Sequence, residues 1–178
     1  MLLKALSSRV QEASFEDMGP QGLEFFGLDT RRYGPGSLWT RLERMGVSVL
    51  AAVTDAEVAG FAGYRINSAN HRQAEISVCA FAPDRSGAIL DALIRQLSMV
   101  RRVGSFVAVL VAGSADVPVY LDRGFVNVGR LRASKYRDYR YHDDEVLHLS
   151  IPKTEGEVDS DVDAEIGRSR HPAASPGI

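Results

Sequence analysis

The side chains able to do chemistry are few and scattered. Cys79 is the only cysteine among 178 residues, which excludes an intrachain disulfide and a cysteine-rich zinc site. It falls mid-strand with no histidine at a nucleophile's spacing, so a small core residue is the simpler reading. His142 and His148 lie near the C-terminal strands, but no His-x-x-x-His and no paired carboxylates accompany them, and no metal is expected. Glu75 opens an apolar run in which two-residue alternation puts Glu75, Ser77, Cys79 and Phe81 on one side and Ala74, Ile76, Val78 and Ala80 on the other. A carboxylate there is either a proton acceptor beside a cleft or a solvated charge near a strand end. "PDRSGAILD" leads from Pro83 into an apolar helix, with Arg85, Ser86, Gly87 and Ala88 at its start. The free N–H groups and positive dipole end of a helix N-terminus bind an anion without help from Lys or Arg. Finally, Tyr136, Tyr139 and Tyr141 interleave with Lys135, Arg137 and Arg140. This aromatic-basic loop could close over a carboxylate-bearing molecule, pack against a second subunit, or stay solvated.

The elements that must position these groups follow from periodicity. After a short leader, "RVQEAS" from Arg9 to Ser14 extends as a first strand and "FEDM" begins a helix. "SLWTRLERM" is a second helix, capped by Ser37, with Leu38, Leu42 and Met45 on one face and Gly46 as its stop. "VSVLAAVT" and "EVAGFAGYRIN" flank Asp55 and Ala56 as a hairpin, and "RQAEISVCAFA" adds a third meander strand. A helix from about Gly87 to Val100 carries Ile89, Leu90, Leu93, Ile94, Leu97 and Val100 on its apolar stripe. "SFVAVLVA" reads as a strand buried on both faces in the sheet's middle. A short helix from about Ser114 to Arg123 ends at Gly124, and "FVNVGRLRAS" and "DEVLHLSI" finish the sheet. The order is β-α-α-β-β-β-α-β-α-β-β, an α+β domain over residues 1–152. From Lys153 to Ile178 aromatics vanish and large aliphatics thin out, so a disordered acidic and polar tail is expected.

Bulk properties narrow the function classes. A chain of this length makes one domain of ordinary size, and 45% hydrophobic with 25% charged residues suits a packed interior. The net charge is -2 and the basic residues form no stripe, so nucleic acid is not an expected partner. The N-terminal apolar stretch is too short for a signal peptide and no run of about twenty apolar residues occurs, which predicts a cytoplasmic protein with no membrane partner. The excess of Arg over Lys hints at a bacterial source.

Several strings, taken in order, resemble the GNAT superfamily of acyl-CoA-dependent N-acyltransferases from about Val10 to Ile151. "VQEASFEDM" is similar to the family's opening, and "DAEVAGFAGYR" to its hairpin with a Gly-aromatic-small series. "AEISVCAFAP" resembles the fourth strand of the phosphinothricin and amino-acid acetyltransferase subgroup. "YLDRGFVNVGRLR" resembles the Tyr-x-x-x-Gly-Phe segment, and "RYHDDEVLHLSI" the last strand, entered through an Asp. The resemblance implies a mixed seven-stranded sheet, splayed between its fourth and fifth strands and flanked by about four helices. Main-chain groups in the opening would bond pantetheine amides as a further strand would.

That likeness also implies roles. The expected activity is transfer of an acetyl or short acyl group from acetyl-CoA to a primary amine of a small molecule or peptide N-terminus, by direct attack in a ternary complex. Tyr120 stands at the family's tyrosine; a phenol is a reasonable acid for a thiolate leaving group, against the plainer role of packing on the sheet. Glu75 would be the base, directly or through water. Amides near Phe81 and Ala82 would polarise the thioester carbonyl, and Arg85, Ser86, Gly87 and Ala88 would hold the pyrophosphate. Asp144 would help close the acceptor pocket, unless it is a turn residue. "PDRSGAILD" departs from the family's Arg/Gln-x-x-Gly-x-Gly/Ala loop: its spacing is one residue short and glycines are missing. A GNAT-fold scaffold that has lost CoA is therefore the alternative. Exposed final strands leave a homodimer open.

Overall fold

The computed structural model describes residues 1–5, 24–29, 35–54, 57–137 and 139–152. Its main sheet has seven strands in the order β1-β4-β5-β6-β7-β9-β8. These are β1 (Leu2–Ala5), β4 (Ser48–Val53), β5 (Val58–Asn67), β6 (Asn70–Ala80), β7 (Ser105–Val111), β8 (Val126–Arg137) and β9 (Arg140–Ser150). A two-stranded ribbon, β2 (Glu24–Phe25) and β3 (Leu28–Asp29), stands apart from it. The described helices are α1 (Pro35–Arg44), α2 (Ser86–Arg101) and α3 (Asp116–Leu121). All neighbours in the sheet are antiparallel except β6 and β7. This is the expected mixed seven-stranded α+β sheet, and β6 and β7 are its fourth and fifth strands.

Alternation along β6 sorts the two faces as the sequence predicts. Ala74, Ile76, Val78 and Ala80 pack against Ile89, Leu90, Leu93 and Leu97 of α2, one turn-spaced stripe on a pleated surface. Cys79 joins Phe61, Leu38 and Leu42 in the core under α1 on the other face. Gly60 lets the two strands meet at the centre: a Cβ there would run into the main chain of Cys79 and Ala80, and its φ of +155° disfavours any other residue.

Several boundaries differ from expectation. The first strand of the main sheet is Leu2–Ala5, paired with β4, within the segment read as a leader. The strand expected at residues 9–14 and the "FEDM" helix lie outside the described residues, as does the tail expected at 153–178. Helix α1 begins at Pro35, since proline's fixed φ suits a first helical position; Ser37 is inside it. Gly46 ends the turn with φ +70°, the left-handed stop that glycine supplies. Val100 is 71% exposed, because the last turn of α2 runs past the stripe facing the sheet. In β7 the side toward α2 is buried at Phe106 and Ala108, whereas Val107 and Val109 on the other are only half-buried; that side borders open space. The segment at 135–141 is a strand hairpin: Tyr136 pairs with Tyr141, their rings 5.1 Å apart.

Candidate active site

Strands β6 and β7 run side by side for three residue pairs, Gln73 with Ser105, Ala74 with Phe106 and Glu75 with Val107. Beyond that point both continue, β6 to Ala80 and β7 to Val111, with no further pairing between them. The strands splay. In an antiparallel partner the N–H and C=O of one residue point to the same side. The Phe81 amide donates to the Ala59 carbonyl at 3.0 Å, so Phe81, Cys79 and Ser77 address β5. Val78 and Ala80, one residue out of phase, turn their main-chain groups into the opening. The amide of Phe81, expected as a donor to a thioester carbonyl, is therefore already engaged, and Val78 takes its place facing the gap.

A cleft of about 350 Å³ fills this opening. Ser77 and Val78 form one wall and Val109 to Val111 the other, with Ser114 and Asp116 at one end and Arg140 and His142 of β9 at the mouth. The tip of the β2–β3 ribbon completes it. Phe26 and Gly27 have φ of +50° and +73°, the pair of left-handed residues that a two-residue hairpin turn requires. That turn brings the Phe26 amide to 3.4 Å from Ser77 Oγ and lays the Lys135 side chain against Gly27.

Tyr120 lies close to Val78 and Asp116 but is not among the residues that line the cleft. Its side chain is fully buried, stacked edge-on against Phe125 at 5.1 Å, and its hydroxyl has no hydrogen-bond partner among the described residues. Burial pushes the phenol well above its ordinary pKa and the nearby Asp116 carboxylate pushes it further. The Val78 main chain faces the hydroxyl and offsets a little of this, without closing a bond of normal geometry. A buried hydroxyl left unpaired costs roughly 1–3 kcal/mol, and a group arriving in the splay would relieve it. Cys79 responds to the same surroundings: burial first, then Asp116, raise its thiol to about 12. It is a neutral core residue, as its mid-strand position suggests.

Glu75 does not share this cleft. It belongs to the last closed pair, and its carboxylate is bound to the Arg65 guanidinium. Together they line a second hollow of about 420 Å³ with Asn67, Gln73 and Val107. Asn67 donates to Gln73 at 2.7 Å, and Ser105 Oγ lies 2.9 Å from His148 Nε2. The structure thus separates the two residues expected to act as acid and base. Asp144 is buried, its carboxylate 3.2 Å from Lys135 Nζ; it lies in the fifth position of β9 rather than at the strand's entrance. The turn of β8 that delivers Lys135 is held by Asp143, which accepts from the Ala133 N–H at 2.8 Å and from Arg130 Nε at 2.9 Å. The Ala133 bond is the main cause of a lowered Asp143 pKa.

The expected pyrophosphate loop is a tight 3-10 turn over Pro83–Arg85 running straight into α2. The Arg85 amide donates to Ala82 O at 2.9 Å and the Ser86 amide to Pro83 O, so both are committed within the turn. Arg85 pairs with Glu57 at 3.0 Å. Ser86 and Gly87 are buried and Ala88 is exposed. Arg123 lies over Gly87, donating to its carbonyl at 3.0 Å and pairing with Asp91 at 2.9 Å; any Cβ at Gly87 would strike that guanidinium. Asp116 also lines the cleft, although little in the sequence singles it out. Its only sequence signal was an acidic group four positions before the tyrosine, a spacing that stacks two side chains on one helix face.

Among the described residues no cluster of three or more metal-binding side chains occurs, and no helix is long and apolar enough to cross a membrane. No protein-family model and no curated protein matches the chain. Solved structures do. A spermidine N-acetyltransferase chimera from Vibrio cholerae and hSSAT superposes with a TM-score of 0.68 at 17% identity, over 84% of this chain and 96% of that one. A ribosomal-protein-alanine N-acetyltransferase from Brucella melitensis gives 0.62 at 19%, over 85% and 100%. RimL, a ribosomal alpha-N-protein acetyltransferase in complex with coenzyme A, gives 0.65 at 17%, over 84% and 93%. With its splayed fourth and fifth strands and these likenesses, the chain has the GNAT fold.

Proposed function

We propose that the protein is an N-acyltransferase that moves an acetyl or other short acyl group from a CoA thioester to a primary amine of a small molecule or peptide, by direct attack with both substrates bound. The observation that carries this reading is the opening between β6 and β7, where Val78 and Ala80 present main-chain groups beside a buried Tyr120 hydroxyl with no hydrogen-bond partner among the described residues. Those residues fit a pantetheine arm: the free edge of β6 would bond its amides as a strand does. The donor supplies an activated carbonyl and a thiolate leaving group. Tyr120, its phenol kept protonated by burial, would hold the proton that the sulfur needs. Val78 N–H would donate to the carbonyl oxygen, and the ribbon tip at Phe26 would keep water from the cleft.

A second reading is a GNAT-fold scaffold without CoA, favoured by the 3-10 turn that consumes the Arg85 and Ser86 amides and by Arg123 lying over Gly87. Titration calorimetry with acetyl-CoA, followed by thiol release with butylamine, an α-amino acid and a short peptide as acceptors, separates the two. Binding with amine-dependent thiol release supports the transferase; no binding at high micromolar acetyl-CoA leaves the scaffold.

A further inference from the structure

The geometry points to Asp116 as the group that takes the proton from the attacking amine and hands it on to Tyr120, making one face of α3 a closed proton circuit. This rests on the transferase reading and adds the base that Glu75, held by Arg65 in the neighbouring hollow, does not supply.

Three observations place Asp116 there. It lines the splay cleft together with Ser77 and Val78, beside which an amine approaching a carbonyl held on the β6 edge would arrive. It precedes Tyr120 by four residues in one helix, so the two side chains stack on the same face. Its charge is felt by both Tyr120 and Cys79, buried side chains of α3 and β6. The Tyr120 hydroxyl has no hydrogen-bond partner among the described residues, and the negative charge of Asp116 acts on it. Other charged and titratable groups on the cleft are Arg140 and His142 at the mouth, 3.3 Å apart from Arg Nε to His Nε2, with the Lys135–Asp144 pair behind them.

The chemistry balances within these residues. The amine enters as its free base, having left one proton in solvent. Its nitrogen forms the C–N bond while the C–S bond breaks. The N–H proton, acidified by that bond, goes to the Asp116 carboxylate, and the Tyr120 phenolic proton goes to the sulfur. Protonated Asp116 then returns its proton to the Tyr120 phenolate, directly or through one water, and both residues regain their starting forms. The net change is one proton moved from nitrogen to sulfur, with amide and thiol as products.

The test uses Asp116→Asn, which keeps the shape and removes the charge, in the full chain. Acetyl-CoA binding by calorimetry is expected within about twofold of wild type, while amine-dependent turnover falls on the order of 100-fold. Asp116→Glu is expected to recover part of it. In Tyr-ζ-13C NMR, the Tyr120 signal, assigned by its loss in Tyr120→Phe, should titrate at lower pH in Asp116→Asn because a neighbouring negative charge is gone. In the double variant turnover should equal that of the worse single variant, as expected for two members of one circuit. Wild-type turnover in Asp116→Asn, or multiplicative losses in the double variant, overturns the circuit and leaves the transferase standing. A wild-type protein that binds no acetyl-CoA overturns both.

Discussion

Two hollows share strands β6 and β7 on either side of the Glu75–Val107 pair, and they differ in what they leave unmet. In the lower one Arg65 and Glu75 neutralise each other, and Asn67 and Gln73 satisfy each other. Its polar groups have internal partners and ask little of a ligand. In the upper one the strands have parted, Val78 and Ala80 lie out of step with the β5 ladder on the side of the opening, and the Tyr120 hydroxyl is buried without a hydrogen-bond partner among the described residues. A polar lining is thus a poor guide to a site. Unmet hydrogen-bonding capacity in a place that water cannot serve is a better one.

Tyr120→Phe should set the two hollows apart most strongly. If Tyr120 is the acid that the proposed transfer needs, turnover should fall by about 100- to 10,000-fold, whereas thermal stability should hold or rise, because the deleted hydroxyl makes no hydrogen bond among the described residues. A variant that turns over normally, or one that melts well below wild type, would place Tyr120 among ordinary core residues. Next in size is Gly60→Ala on the neighbouring strand pair. Its Cβ would collide with the Cys79 and Ala80 main chain, so a destabilisation of about 2 kcal/mol or more is expected from denaturant melts; a neutral result would mean that the edge of β6 yields easily.

Alkaline pH probes the core beside the upper cleft. The Cys79 thiol is raised to about 12 in the fold, against roughly 8.5 in an unfolded chain. Between those values the folded state keeps a proton that the unfolded state has lost, so stability is fully present below about pH 8.5 and declines as pH climbs toward 12. Urea midpoints from pH 8 to 10.5 should fall more steeply for wild type than for Cys79→Ala, and parallel slopes would refute the burial argument. The smallest effect belongs to the lower hollow. Glu75→Gln breaks an ion pair whose side chains are 41% and 28% exposed, worth about 1 kcal/mol or less, and turnover should stay within about twofold. A large drop in turnover would return Glu75 to the role of base that its sequence position suggests.

Much of the frame was readable from residue order. The stripe of Ile89, Leu90, Leu93 and Leu97, the alternation through Ala74 to Ala80 and the β4–β5 hairpin all emerge as expected, since each follows from the local period of its own element. What escaped depends on how elements meet. Paired in step from their turn, where Asn67 faces Asn70, β5 and β6 would set Arg65 opposite Arg72. A bulge between Ile66 and Asn67 shifts the register and puts Arg65 opposite Glu75, and no local signal marks it. Asp116 looks like an ordinary acidic residue opening a short helix, and only the fold turns it into the cleft. The 3-10 turn at Pro83–Arg85 likewise absorbs the irregular spacing of its loop in a way that residue types do not announce.

The parting of β6 from β7 carries a consequence for how such a protein can drift over time. A grip made of amide and carbonyl groups belongs to the backbone and is indifferent to most replacements of the side chains around it. Mutations can accumulate along both walls while the open strand edge persists. Architecture then outlasts recognisable wording, as in a chain that overlays three acetyltransferases while sharing only 17–19% of their residues.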